Sequence, residues 1–228
     1  MMRNKMKGKR PIRKREDKEV KIKEEKKEVL PPIPIKLFNK WDTNAEVKDP
    51  GLKKYINLYP RLLPRSAGTK RERFHKSKMH IVERLALHFL ISGHRGKNHR
   101  LSSGRFGGSL DTVLKHVEKS LDIIEKKEKK NPIQILVTAI ENAAAREEIV
   151  SFQLGSIVAR EAVVTSPQRR IDKTLRYIAQ GSYRKSFRSK RSLAASLAEE
   201  LINASKGSNQ SSAIQEKERI EREATGAR

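Results

Sequence analysis

The excess of positive charge is the feature that most limits what this chain can fold into. Its 228 residues contain 52 Lys and Arg against 27 Asp and Glu, which gives a formal net charge of +25 at pH 7. Charges of one sign repel each other when a chain compacts, and contact with many phosphates relieves that repulsion through counterion release. Nucleic acid is therefore the favoured partner.

An anionic membrane surface is the alternative partner for so basic a chain. No apolar run approaches the roughly 20 residues that a spanning helix needs, and the N-terminus lacks the apolar core of a secretion signal. We therefore expect a soluble cytoplasmic protein that does not use a membrane. The chain has no Cys, which excludes disulfide frameworks and thiolate metal sites.

Composition also divides the chain into an extension and a folded part. Hydrophobic residues make up 36% of the sequence, enough for one modest core rather than two. The first 30 residues carry 13 Lys or Arg against 6 Asp or Glu, and such blocks are usually disordered until bound. Pro31, Pro32 and Pro34 then favour an extended linker. We expect a basic, extended N-terminal tail over 1–34 and one folded domain over 35–228.

Most of the folded part has helical periodicity. It is predicted to begin with an apolar cluster of Ile35, Leu37, Phe38 and Trp41, which we assign to the core. Further on, apolar residues recur at helical spacing, and Asn131 can cap a helix that starts with proline. The predicted helical segments are 76–91, 109–127, one from Pro132 that ends before Arg146, a stretch around Leu175 and Ile178, and one from Leu193 that ends near Gly207.

The segment 149–164 has a different pattern. It is rich in β-branched and aromatic residues and is interrupted by Gly155 and Ser156, which predicts a β-hairpin with a two-residue turn. This turn sets a register with one apolar face. The predicted pairs are Leu154 with Ile157, Phe152 with Ala159, and Ser151 with Arg160. Either that face packs on the helices as core, or the outer half of the hairpin projects. We favour projection from a helix bundle.

Two clusters hold much of the basic charge in the folded part. Residues 61–105 contain 12 Lys or Arg against two Glu, and residues 169–191 contain nine against one Asp. The first includes a Gly-containing loop, 92–100, whose backbone and side chains suit phosphate contacts, with a solvated surface loop as the alternative. The second interleaves its cations with Tyr177, Tyr183 and Phe187, and such rings can stack on unpaired bases.

The motifs that would carry catalysis or cofactor binding are weak or absent. Residues 104–107 match the GxxG backbone clamp of KH domains, but the strands of that fold are not predicted around them. Two His pairs, 75 with 80 and 94 with 99, are five residues apart, which separates the rings on a helix. No nucleophile or acid/base constellation appears. We expect no cofactor, no metal site and no enzymatic activity.

Two other functions fit parts of this pattern. A chromatin-like DNA-binding protein would share the charge and the helices, but it should present base-reading side chains on one recognition helix, and none is identified. An RNA-modifying enzyme or assembly factor would need a cofactor loop or an acid/base pair. Neither alternative explains the ordered strings of residues described next.

Several strings resemble one family: small-subunit ribosomal protein seven in its archaeal branch, whose eukaryotic counterpart is numbered five. The resemblance runs over 35–228, and the order and spacing of its strings are specific. The matching strings are KLFNKW at 36–41, LPRSAG at 63–68, IVERL at 81–85, NPIQ at 131–134, AAAREE at 143–148, VTSPQRR at 164–170 and LAEELI at 197–202.

This resemblance implies a mainly α fold: a bundle of about six helices with one protruding β-hairpin at about 148–166 and a C-terminal helical tail at about 212–228. It implies a structural constituent of the small ribosomal subunit that binds the 3′ major domain of small-subunit rRNA and nucleates assembly of the head. The implied neighbours are exit-site tRNA, the mRNA exit path and other small-subunit proteins.

The charge clusters and the resemblance together predict the site residues. For rRNA binding they are Arg61, Arg65, Arg71, Arg73, Lys76, Lys78, Arg95, Lys97, Arg100, Arg105, Arg146, Arg169, Arg170, Lys185, Arg188, Lys190 and Arg191. For proximity to exit-site tRNA and mRNA they are Gln153, Gly155, Ser156, Arg160 and Arg228.

Overall fold

The structure of the protein is a computed structural model that describes residues 35–66, 73–93 and 108–228. The predicted N-terminal tail and its proline linker therefore lie outside the described residues. So do most of the predicted phosphate-contacting loop, from residue 94 onward, and the GxxG string at 104–107. Among the described residues, no helix combines the length and the apolar character needed to cross a membrane.

Helices dominate the described part of the chain, which also contains one antiparallel pair of strands. The prediction of a mainly α bundle with about six helices and one hairpin is confirmed, because six helices have nine or more residues. In chain order the elements are α1 (Pro50–Lys53), α2 (His75–Lys78), α3 (Ile81–Phe89), α4 (Leu110–Glu128), α5 (Pro132–Ala143), β1 (Glu147–Leu154), β2 (Ile157–Val164), α6 (Pro167–Ser186), α7 (Leu193–Ser205) and α8 (Ser212–Thr225).

Polar side chains begin several of these helices. The side chains of Ser109, Asn131, Ser192 and Ser211 accept hydrogen bonds from backbone N–H groups in the first turns of α4, α5, α7 and α8. Those N–H groups have no partner inside a helix, so each cap stabilises its helix by about 1 kcal/mol. The predicted cap at Asn131 is confirmed, with its Oδ1 2.9 Å from the amide nitrogen of Ile133.

The segment predicted as one helix over 76–91 is two helices, α2 and α3. The chain is extended at Met79 and His80, so the helical spacing is interrupted there. The cause is pairing with a distant segment: Asn57 forms a parallel bridge with His80, and the Ile81 amide donates to the Asn57 carbonyl at 3.1 Å. His80 then begins α3, because its Nδ1 accepts from the Val82 amide at 3.2 Å.

The core lies between α3, α4, α5, α6 and α7. Helix α7 packs against α4, α5 and α6, and α3 packs against α4 and α6. Full burial of a large apolar side chain contributes about 1.5–3 kcal/mol, so this shared core is the main source of stability. Its largest fully buried side chains include Phe89, Leu121, Ile124, Leu136, Ile140 and Ile171.

The apolar cluster at the start of the fold is only partly in this core. Leu37 and Trp41 are buried, and the Trp41 Nε1 donates to Glu125 Oε2 of α4 at 2.9 Å. Phe38 has a positive φ of 52° and packs edge-on against Trp41, with ring centroids 6.1 Å apart. Ile35 is 53% exposed, so its assignment to the core was wrong. It is the first described residue, and the chain turns into the core only after it.

The hairpin has the predicted register. Leu154 lies opposite Ile157, Phe152 opposite Ala159 and Ser151 opposite Arg160. Gly155 has a φ of +60° in the turn, a conformation that glycine adopts without steric cost. The base of the hairpin packs against α8, whereas Phe152, Ile157 and Val158 are exposed. The outer half therefore protrudes from the bundle, as the sequence predicts.

Candidate nucleic-acid interface

An open cleft with basic walls lies between α2 and the first half of α6. Lys76 of α2 and Arg169, Lys173 and Arg176 of α6 line it, together with Ser166, Gln168 and Asp172. The three cations of α6 follow each other at intervals of four and three residues, which places them on one helix face. The cleft thus presents four cations and one carboxylate to solvent. We call it the α2–α6 cleft.

Asp172 holds the cleft together rather than neutralising it. Its carboxylate accepts from Arg84 Nη2 at 2.9 Å and from Lys76 Nζ at 3.3 Å, and His88 Nε2 lies 3.8 Å away. Burial alone would raise the pKa of Asp172, but the nearby His88 imidazole and the Arg84 guanidinium outweigh it and hold the pKa well below its usual range. The carboxylate therefore stays charged and ties α6 to α3 and α2.

Arg84 is the buried member of this group, with a side chain only 3% exposed. Its Nη1 donates to the Tyr55 carbonyl at 2.9 Å. Asp172 thus forms an ion pair with a buried arginine that cannot reach an external ligand. Asp172 is therefore shared between buried Arg84 and exposed Lys76, and the four cations of the cleft outnumber it.

Glu148 of β1 fixes a second part of the cleft. Arg169 Nε donates to Glu148 Oε1 at 2.6 Å, and Lys173 Nζ donates to Glu148 Oε2. Burial would raise the pKa of Glu148, but hydrogen bonds from Arg169 and Lys173 lower it below its ordinary value. The Arg169 side chain remains 58% exposed. Glu148 therefore orients Arg169 at the mouth of the cleft and links it to the base of the hairpin.

The position of these arginines opposes the helix dipole. Arg169 and Arg170 stand in the first turn of α6, which contains no acidic residue. Cations are unfavourable at a helix N-terminus, where the free N–H groups attract anions. Their placement has an electrostatic cost within the fold. Acids from other elements offset it in part, and an external phosphate would offset it further.

A second basic cleft lies on the other side of Arg170. Lys48, Arg146, Arg170 and Lys217 line it, with Asp49 and Glu141 as the acidic members. Arg170 Nη2 contacts Asp49 Oδ2 at 3.1 Å, and its buried Nε has no hydrogen-bond partner among the described residues. The structure therefore brings together Arg146 and Arg170, which are 24 positions apart in the sequence.

The other predicted cations of the first cluster lie around α2. Arg73, Lys76 and Lys78 are exposed on or beside this helix. Arg65 forms an exposed ion pair with Asp111 at 3.0 Å, and half-buried Arg61 donates to the Arg65 carbonyl at 3.3 Å. The predicted residues Arg71, Arg95, Lys97, Arg100 and Arg105 lie outside the described residues.

The cations near the end of α6 differ among themselves. Lys185 Nζ lies 2.8 Å from Oε2 of Glu200, whose side chain is fully buried, so the charge of Lys185 is used inside the fold. Arg191 pairs with Glu199 at 2.8 Å, with both side chains largely exposed. Arg188 and Lys190 are exposed, and the Arg188 guanidinium lies 5.4 Å from the centre of the Phe187 ring.

The residues predicted near exit-site tRNA fall at two places on the hairpin. Gln153, Gly155 and Ser156 form its exposed tip, where Gln153 Nε2 donates to the Gly155 carbonyl at 3.0 Å. Arg160 is exposed along β2. Arg228 lies elsewhere, at the base, where it pairs with Glu147 of β1. The structure therefore does not bring Arg228 to the tip.

Sequence reasoning did not single out Lys48, Lys173, Arg176 and Lys217. Lys173 and Arg176 could have been found from their spacing relative to Arg169, since positions three and four apart share a helix face. No local signal points to Lys48 or Lys217, because only the tertiary fold brings them to the second cleft. The residues that the structure describes contain no group of three or more side chains suited to hold a metal.

Sequence comparisons relate this chain to known proteins. A sequence model of the family described as ribosomal protein S7p/S5e matches residues 53–228. The small ribosomal subunit protein uS7 of Nanoarchaeum equitans is 43% identical over 196 residues, covering 85% of this chain and 99% of that protein.

Two further archaeal relatives carry the same name. The uS7 protein of Methanococcoides burtonii is 43% identical over 195 residues, covering 85% of this chain and 99% of its own. The uS7 protein of Methanococcus vannielii is 42% identical over 199 residues, covering 86% of this chain and 97% of that protein. The matches span nearly the whole length of each relative and at least 85% of this chain. The chain therefore belongs to the ribosomal protein S7p/S5e family, in its archaeal branch.

Proposed function

We propose that this protein is a structural constituent of the small ribosomal subunit that binds rRNA and has no catalytic role. The observation that carries the proposal is the α2–α6 cleft, where four cations outnumber the two carboxylates that contact them, Asp172 and Glu148, and Asp172 is also bonded to buried Arg84. A surface of this kind binds a phosphate backbone through charge, and such contacts position a protein on RNA. The curated relatives are named as small ribosomal subunit proteins, which supports the same role.

The finer proposal concerns which RNA and which neighbours are contacted. The RNA is the 3′ major domain of small-subunit rRNA, whose folding this protein nucleates in the head, next to other small-subunit proteins. The contacts come from the two basic clefts and from the exposed cations around α2 and after α6. Lys185 supports this surface from within, through Glu200.

The hairpin serves a second part of the proposed function, beside exit-site tRNA and the mRNA exit path. Its outer half is exposed and mostly apolar, and Arg160 is its one basic residue. A two-stranded ribbon is marginally stable alone, and here only its base packs on α8. A projecting segment of this kind suits contact with neighbouring molecules in an assembly.

Co-sedimentation tests the main proposal. The full chain should travel with small ribosomal subunits in a sucrose gradient at moderate salt, because many phosphate contacts hold it there. A high-salt wash should release it, and it should then rebind salt-washed subunits. Recovery only in nucleoid or free-protein fractions would favour the DNA-binding alternative and contradict the proposal.

A hairpin deletion tests the proposed role at the exit site. Replacing Phe152–Ala159 by a short Gly link removes the exposed outer half and leaves the contacts of its base with α8. The variant should keep its melting temperature and assemble into subunits, while retention of exit-site tRNA or reading-frame fidelity changes. A large fall in melting temperature would mean that the hairpin is core. Unchanged tRNA retention and fidelity would remove its proposed role.

A further inference from the structure

Phe74 combines two properties that are rarely found together in one aromatic residue. It precedes α2 with a φ of 60° and a ψ of 16°, in the left-handed region, and its side chain is 70% exposed. A side chain with a Cβ occupies this region at a steric cost, and bulky residues do so least readily. The fold therefore holds a large apolar ring in water on a strained backbone.

Packing does not explain the strain at Phe74, as a comparison with Phe38 makes clear. Phe38 has a similar φ of 52°, but its ring is half-buried, contacts Trp41 and packs against the core. Burial of that ring offsets the cost of its backbone conformation. The ring of Phe74 has no comparable burial, and its one ring contact among the described residues is the guanidinium of Arg73, 5.9 Å from the ring centre.

The surroundings of Phe74 are basic and lead into the α2–α6 cleft. Arg73, Lys76 and Lys78 are exposed within four residues of it along the chain. Lys76 is a wall of the cleft, where its Nζ contacts Asp172 Oδ2 at 3.3 Å. An RNA strand with its phosphates in the cleft would thus pass beside an exposed aromatic ring.

We propose that Phe74 is a stacking platform for one unpaired base of the RNA whose phosphates the α2–α6 cleft binds. Every base has a π face that can stack on an aromatic ring, and only an unpaired base can leave its helix to do so. The inference rests on the proposed function and adds to it a class of ligand: an unpaired nucleotide at a loop, bulge or junction. The Arg73 guanidinium extends the same surface, since its plane can also stack.

Substitutions at Phe74 separate stacking from charge. The probe is a transcript of the 3′ major domain, bound to the full chain at several salt concentrations. Phe74→Asn removes the ring while keeping a residue type that tolerates the left-handed region. Its affinity should fall about 5- to 150-fold, the loss expected for one stacked base, with an unchanged salt slope. Phe74→Tyr should bind like the wild type, and Phe74→Leu should resemble Phe74→Asn.

Stability and fluorescence provide independent readouts. The melting temperature of Phe74→Asn should equal or exceed that of the wild type, whereas Phe38→Asn should melt lower because its ring is packed. In Phe74→Trp, the new ring is exposed and the native Trp41 is buried. Addition of the transcript should quench the emission of the new ring, since a stacked base lies against it.

Three outcomes would overturn the inference while leaving the proposed function intact. The first is a wild type that binds the transcript and a Phe74→Asn variant that binds it equally well and still enters subunits. The second is retained affinity in Phe74→Leu, which would indicate a general apolar contact. The third is normal transcript binding by Phe74→Asn with failure to enter subunits, which would assign Phe74 to a protein neighbour. Failure of the wild type to bind would instead contradict the proposed function.

Discussion

The two ends of helix α6 both carry cations but use them differently. Near the C-terminal end, Lys185 contacts Glu200, which is fully buried and also accepts from Ser211 Oγ at 2.8 Å at the start of α8. Near the N-terminal end, Arg169 and Arg176 are exposed along an open cleft. One end joins three helices, whereas the other faces outward.

This difference shows that a count of charges overstates the surface available to RNA. The sequence places nine cations against one acid over 169–191, yet the acids that matter come from other segments. On α7, Glu200 forms an ion pair with Lys185, and Glu199 forms one with Arg191. At the N-terminal end, Asp172 and Glu148 contact the cleft cations, but Asp172 is also bonded to buried Arg84, so the four cations of the cleft remain in excess. The position of each acid decides the role of each cation.

The largest expected effect on stability comes from the C-terminal end of α6, where Lys185 contacts buried Glu200. Glu200→Ala should lower the free energy of unfolding by about 3–5 kcal/mol, because it leaves the Lys185 ammonium and the Ser211 hydroxyl without their buried partner. Denaturant titration of the full chain measures this. The matched control is Glu199→Ala, whose ion pair with Arg191 is largely exposed and should contribute less than about 1 kcal/mol. Equal losses in the two variants would contradict the comparison.

Acidic pH should lower the free energy of unfolding through His80, which begins α3. Burial and the charge of Arg61 lower the pKa of His80 from 6.5 to about 4, so the unfolded chain binds more protons in that window. The free energy of unfolding should therefore decrease as pH falls from 6.5 towards 4, by roughly 3 kcal/mol in total from this group. His80→Asn, which can still cap the Val82 amide, should show a flatter pH dependence.

Hydrogen exchange can locate that loss. Amides at the start of α3 should exchange faster as His80 becomes protonated, while amides of α7 near Glu200 should keep their protection over the same pH range. Uniform loss of protection across both regions would show that His80 does not act locally. A wild-type chain whose pH dependence matches that of His80→Asn would show that its imidazole is not held neutral.

A smaller effect is expected where α6 and α8 touch. A Cβ added at Gly181 would lie 2.7 Å from the Cβ of Ser212 and 2.8 Å from its Oγ, so the helices must move apart. Gly181→Ala should cost about 1–3 kcal/mol, although alanine is the better helix former. Gly226→Ala is the control, since its nearest contact would be an ordinary 3.7 Å. A stabilised Gly181→Ala variant would mean that the contact is loose.

Local patterns in the sequence predict much of this fold. The helical spacing, the Asn131 cap and the turn at Gly155 are encoded by neighbouring residues, and the structure confirms the bundle, the cap and the hairpin register. The break between α2 and α3 could not be predicted, because it depends on a bridge from Asn57 to His80. Segments that pair over long distances override local helical preference.

The candidate site is less predictable for the same reason. Charge clustering identifies Arg169 and Arg170, but it equally selects Lys185, whose acid partner lies on another helix. Phe74 carries no pattern in the sequence, since only its backbone conformation and exposure distinguish it from a core aromatic. Glu200 follows another glutamate in α7 and looks solvated in the sequence, but the start of α8 covers it.

The salt dependence of binding to a 3′ major-domain transcript tests most directly whether the outward-facing cations contact RNA. Alanine at Lys76, Arg169 and Arg176 should flatten the plot of log affinity against log salt by roughly two to three units, at about 0.7–0.9 per phosphate contact. The control removes three exposed cations that line neither basic cleft: Lys40, Lys206 and Arg219. It should leave the slope unchanged. Equal flattening by both triple variants, or by neither, would contradict the assignment of the phosphate contacts to the α2–α6 cleft.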